Sequence, residues 1–175
     1  MNKAVAVVGM CGSGKSLLCD YFCKLGWQKV YFGGVTMTQL KKQGLPVNEQ
    51  NERAMRESLR KNYGMGAFAL LLKDEILQKL QEGNVVLDGL YSWSEYLILK
   101  QALGDALVVL AVVTDCGIRK QRLAMRKVDA RDKAEIEHSE KGGPIAKADC
   151  YVINNGTEQQ LQQQFEQFIC RYFPN

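Results

Sequence analysis

The chain has 175 residues, 46% hydrophobic and 24% charged, the balance of one globular domain with a substantial core. Its formal net charge of +4 is too small to imply nucleic-acid binding, and no apolar run approaches a membrane span. Six cysteines include no C-x-x-C pair, and the single histidine, His138, cannot complete a zinc site with Cys19 and Cys23, so reduced thiols in a cytoplasmic protein are expected.

Met1-Asn2-Lys3 leads straight into an apolar run, so no signal peptide is expected. That run, Ala4-Val5-Ala6-Val7-Val8, has the composition of a buried strand. Residues 9–16 follow as Gly-Met-Cys-Gly-Ser-Gly-Lys-Ser, which fits G-x-x-x-x-G-K-[ST], the phosphate-binding P-loop pattern. Leu17, Leu18, Tyr21, Phe22 and Leu25 then recur at helical spacing. The motif therefore lies between a strand and a helix, as its chemistry requires. Gly9, Gly12 and Gly14 let the backbone curl and bring its N–H groups close to phosphate. The helix beginning near Lys15 adds the positive end of its dipole. Lys15 can reach the β- and γ-phosphates of a triphosphate, and the Ser16 hydroxyl can ligate Mg²⁺. Cys11, Ser13 and Leu17 complete the expected nucleotide-binding stretch. Cys11 sits near a helix N-terminus, where a thiol can become more reactive.

Further strands are expected at 29–32, 85–87, 107–113 and 151–153, with helical patterns between them. Alternation of strand and helix predicts an α/β fold, a five-stranded parallel sheet with helices on both faces. The patterns at 49–61 and 67–80 form a helical insertion, part of a longer one at about 36–82. Phe68, Leu72, Ile76 and Leu80 keep a four-residue spacing in it. Arg53, Arg56 and Arg60 share a helix face there. The strand at 85–87 ends in Asp88, where a carboxylate beside the P-loop strand can hold Mg²⁺ directly or through water. Ser92 and Glu95 have capping-box spacing, which makes Glu95 structural.

Arg119, Arg122 and Arg126 repeat the three- and four-residue spacing, and residues 119–133 hold seven Lys/Arg against two Asp. Guanidinium groups bind phosphate bidentately and stabilise charge during phosphoryl transfer. Asn154, Asn155 and Gly156 follow the last strand, where their backbone can meet a nucleotide base or make a simple turn. Thr157 with Gln160 predicts a capping box for the final helix, marked by Leu161, Phe165, Phe168, Ile169 and Tyr172.

Taken in order, GMCGSGKS, LDGLYSWSEY, TDCGIRKQRLAMR, RDKAEIEHSEKGGPIAKAD and YVINNGT resemble the P-loop nucleoside/nucleotide kinase group over nearly the whole chain. The nearest resemblance is to dephospho-CoA kinase and adenylate-kinase-related proteins. It implies a three-layer P-loop kinase fold, one domain over 1–175 with a lid at about 127–146, ATP–Mg²⁺ as donor, and adenine near the 154–156 loop. It places a small-molecule, nucleotide-like acceptor against the helices at 49–80, with Arg53, Arg56, Arg60 and Tyr91 on the acceptor side. Lys15, Asp88, Arg119, Arg122 and Arg126 become the catalytic set. No membrane or nucleic-acid partner is expected.

One departure bears on the acceptor. Dephospho-CoA kinases carry an Asp after the second strand, positioned to accept a hydroxyl proton, whereas this chain reads Tyr31-Phe32-Gly33-Gly34-Val35. Tyr91 stands where relatives with a DGIRS-type segment have Arg. A phosphate acceptor is already ionised and needs no base. The expectation is a kinase acting on a nucleoside monophosphate type of acceptor. The alternatives are dephospho-CoA kinase and a non-catalytic nucleotide-binding regulatory module; no N-K-x-D guanine motif suggests a GTPase.

Overall fold

The computed structural model describes residues 2–125, 140 and 142–174. Strands β1 (Ala4–Val8), β2 (Gln28–Tyr31), β3 (Val85–Asp88), β4 (Leu107–Val113) and β5 (Cys150–Ile153) form one parallel sheet in the order β2-β3-β1-β4-β5. β1 is central, and all five of its residues are buried. A strand covered on both faces needs an unbroken apolar run rather than alternation, and Ala4–Val8 supplies it.

Helices fill both faces, as expected. α1 (Lys15–Lys24) lies on one face together with the C-terminal helix. There Val5, Val7, Val86, Leu110 and Val152 meet Leu18 and Phe22 of α1. The C-terminal helix adds Leu161, Phe165 and Phe168, and the Phe22 and Phe165 rings meet edge to face at 4.8 Å. The other face, carrying Ala4, Ala6, Val8, Val85 and Leu87, is covered by α2 (Gly33–Lys42), α3 (Glu49–Tyr63), α4 (Ala67–Glu82) and α5 (Trp93–Leu103). Phe68, Leu72 and Ile76 form the buried stripe of α4. α6 (Cys116–Met125), α7 (Gly142–Ala146) and α8 (Glu158–Tyr172) complete the described helices.

Both predicted capping boxes are present. The Ser92 side chain accepts from the Glu95 backbone N–H, and Thr157 accepts from Gln160 in the same way. Differences from the sequence expectations are local. β2 lies one residue earlier at both ends, β5 begins one residue earlier, and β3 runs on to Asp88. Helix α2 begins at Gly33, where two glycines disfavour a helix. Burial of Thr36 and Leu40 on its inner side overrides that local preference. Arg126 and residues 127–139 and 141 of the expected lid lie outside the described residues.

Among the described residues, no helix is long and apolar enough to cross a membrane, and no cluster of His, Cys, Asp and Glu could hold a metal ion by itself.

Candidate active site at the carboxyl edge of the sheet

The chain turns from β1 to β2 and β3 on one side and later adds β4 and β5 on the other. The carboxyl end of β1 is therefore the switch point of the sheet, where open α/β folds bind ligands. Residues 9–16 occupy it. Gly9 has φ +154°, and a Cβ there would lie 2.6 Å from the Val112 carbonyl oxygen and 2.7 Å from Ser13 Oγ. Gly14 has φ +100° and faces the Asn154 amide, so no side chain fits. Gly14 is also the N-cap of α1 and offers no side-chain acceptor. No acidic residue sits in the first turn of α1. The orphan N–H groups and the helix dipole there suit an anion.

Neighbouring elements hold this loop firmly. The Asn154 side-chain amide donates to the Ser13 carbonyl at 2.8 Å, and Thr114 Oγ1 donates to the same oxygen at 3.1 Å. Both partners are buried. From α6, Arg119 Nη1 donates to the Cys11 carbonyl at 3.1 Å. Arg122 donates through Nη1 to the Gly12 carbonyl at 3.4 Å and through Nη2 to the Asn154 carbonyl at 3.1 Å. Lys15 Nζ donates to the Met10 carbonyl at 3.1 Å. Three of the expected catalytic cations thus converge on one loop. Asn154 ties β5 to the loop through its side chain, while Asn155 and Gly156 are exposed beyond it.

The phosphate cradle fits a nucleotide: backbone donors, Lys15 and two arginines meet at an uncapped helix start. A magnesium site is less complete. Ser16 is exposed on the first turn of α1 and can offer its hydroxyl. Asp88 ends β3 beside Val7 of β1, on the sheet face that carries α1. Its Oδ2 is held at 2.8 Å by Lys29 Nζ from β2. Burial alone would lower the Lys29 pKa, but the Asp88 hydrogen bond and charge outweigh it and hold the ammonium above the ordinary lysine value. Lys29 is the functional candidate that sequence reasoning missed. Its signal was a lone lysine in strand β2, on the face opposite buried Val30. Cys19 sits close to both charges; burial first, then Asp88, push its thiol pKa far above the ordinary range, so it is inert.

The arginines of α3 separate. Arg53 has a side chain 68% exposed, with Nε donating to Glu57 at 2.9 Å. Arg56 is half-buried and pairs with Glu52. Arg60 packs its guanidinium over the Phe68 ring at 5.9 Å, and its Nε is buried with no hydrogen-bond partner among the described residues. Tyr91 is partly buried beside Gly89, where a Cβ would lie 2.9 Å from the Tyr91 hydroxyl.

Glu95 is fully buried. Its Oε2 accepts from the Tyr91 and Ser92 N–H groups at 2.7 and 3.0 Å, while Oε1 has no partner among the described residues. Burial raises its pKa to about 7 against the lowering effect of those bonds and of Arg60, with Glu140 raising it further. The folded state therefore holds a proton that the unfolded chain releases above its ordinary pKa. This contribution to stability falls as pH rises between about 4.5 and 7 and is absent above that window. Glu95→Gln keeps the cap acceptor without the charge. Its melting temperature relative to wild type should rise by a few degrees from pH 5 to pH 7.5. Thermal melts at the two pH values check this; a constant difference would place the proton elsewhere.

No known family model matches the chain. It is similar to a protein of Archaeoglobus fulgidus described as UPF0200/UPF0201, 29% identical over 184 residues that cover 99% of this chain and 57% of that protein. It is likewise similar to a UPF0200 protein of Thermococcus onnurineus, 28% identical over 177 residues covering 94% and 95% of the two chains. The chain thus spans little more than half of the first relative and nearly all of the second. Among solved structures it resembles a gluconokinase of Sinorhizobium meliloti (TM-score 0.64, 13% identity, 97% and 92% coverage). It also resembles a shikimate kinase of Acinetobacter baumannii (TM-score 0.60, 14% identity, 100% and 97% coverage). The protein TT1252 of Thermus thermophilus matches with a TM-score of 0.62 at 15% identity, covering 98% of each chain. The fold is the P-loop kinase fold.

Proposed function

We propose that this protein is an ATP-dependent small-molecule kinase, one domain in which the α2–α4 region forms the acceptor side. The observation that carries the reading is the convergence of Lys15, Arg119 and Arg122 on the phosphate loop at the switch point of the sheet. Phosphoryl transfer needs positioning and charge stabilisation more than covalent chemistry. Backbone N–H groups at the start of α1 would hold the β-phosphate, and Lys15 would swing from Met10 to the β- and γ-phosphates. Arg119 and Arg122 would move from the loop carbonyls to the charge that spreads over the transferring group. Mg²⁺, when bound, would neutralise the phosphate oxygens, with Ser16 and Asp88 as the residues that hold it.

The acceptor is a phosphate-bearing, nucleoside-monophosphate type of molecule. Gly33 and Gly34 open α2 with no acidic residue in its first turn, so a base for a hydroxyl acceptor would have to come from elsewhere, as from Asp88. Arg56 and Arg60 offer the positive charge an anionic acceptor needs. ADP production from ATP–Mg²⁺ should be measured across nucleosides, nucleoside monophosphates and dephospho-CoA. The expected winner carries a terminal phosphate as acceptor. Efficient transfer to a 3′-hydroxyl would instead establish dephospho-CoA kinase. Tight ATP binding without transfer to any acceptor would establish a regulatory module.

The two arginine groups should behave differently. Alanine at Arg60 should raise the acceptor KM about tenfold, and alanine at the exposed Arg53 less than about twofold. Alanine at Arg119 or Arg122 should lower kcat about tenfold or more with little change in that KM. Steady-state kinetics on the four variants would separate the groups; equal, small effects would leave these arginines as structural contacts only.

A further inference from the structure

Asp88 is the one acidic side chain assigned to the metal, yet it already has a cation. Lys29 stands on β2 opposite Val86, two residues back from Asp88 on the neighbouring strand. The buried face of Val86 carries α1, so the Lys29–Asp88 pair lies under the first turns of that helix. The Asp88 side chain is only 11% exposed, and Lys29 32%. An unpaired carboxylate this sheltered, next to a phosphate cradle, would repel the anion the cradle is built for. A fixed ammonium removes that repulsion.

We propose that Lys29 is a positioning residue that serves Asp88 as a resident counter-ion and lets the phosphate loop bind nucleotide without a divalent metal. The proposal rests on the phosphate-binding reading of residues 9–16. Where Asp88 held Mg²⁺, its charge would already be neutralised and Lys29 would matter less. The dependence of nucleotide affinity on metal is therefore set by Lys29 as well as by Asp88.

The test is ADP binding by calorimetry, with Mg²⁺ and with EDTA, on folded protein checked by thermal melts. Wild type should bind ADP in EDTA within about threefold of its affinity in Mg²⁺. Lys29→Met should lose about tenfold or more in EDTA but less than about threefold in Mg²⁺. Lys29→Arg should behave as wild type. The double variant Lys29→Met/Asp88→Asn strands no charge, so it should fold even if the single variant does not, and it should recover EDTA binding. Equal losses in both conditions, an unaffected Lys29→Met, or a double variant that stays weak in EDTA would overturn the proposal while leaving the phosphate site standing. Failure of wild type to bind ADP in either condition would overturn both.

Discussion

Lys15→Ala should leave a folded protein whose rate of phosphoryl transfer falls by about a hundredfold or more. The fold should survive because alanine is a strong helix former and Lys15 begins α1, contributing no residue to the buried cores. The rate should collapse because the ammonium lies 3.1 Å from the Met10 carbonyl, across the loop on which phosphate would sit. No other described lysine bonds to that loop. Removing one preorganised charge from a transition state of this kind costs two to three orders of magnitude. ADP release under saturating acceptor, beside a thermal melt, measures both halves. Near-normal turnover by the folded variant would end the kinase assignment.

Asp88→Asn should slow turnover by about tenfold or more while changing ATP affinity less than about threefold. The substitution is nearly isosteric, so β3 and its pairing with β1 should persist. What disappears is a charge at the end of β3, and with it the partner of Lys29 at 2.8 Å. A stranded ammonium favours bound phosphate, so affinity holds, while the geometry that Asp88 imposes on the metal is lost. Nucleotide titration and initial rates, taken on the same preparation, separate the two effects. An unchanged rate would reduce Asp88 to the partner of Lys29 and nothing more.

The turn at residues 9–16, between β1 and α1, was legible because its signal is local. Eight consecutive residues carry the turn, the lysine and the hydroxyl, and the apolar runs on either side declare the strand and helix that frame them. Both capping boxes were legible for the same reason, since cap and partner are three residues apart. The first turn of helix α2 was not, because the helical insertion was expected only from about 36 and two glycines at 33 and 34 argue against a helix there. The arginines of α3 show the same limit. Their spacing puts Arg53, Arg56 and Arg60 near one another, but it does not say that Arg53 faces solvent while Arg60 stacks on Phe68.

By itself, then, the sequence determined the parallel α/β class, the glycine-rich turn at 9–16 between a strand and a helix, and the capped starts of α5 and α8. Each of these follows from backbone preferences and apolar periodicity acting within a few residues. The tertiary structure alone decided which distant side chains meet. It brought Arg119 and Arg122 onto Cys11 and Gly12, tied Asn154 to Ser13, and closed Lys29 onto Asp88. Those contacts join residues tens of positions apart, and they exist only because the strand order β2-β3-β1-β4-β5 sets the ends of distant elements side by side. Charges that read as separate along the chain become partners there because burial makes an unpaired charge costly.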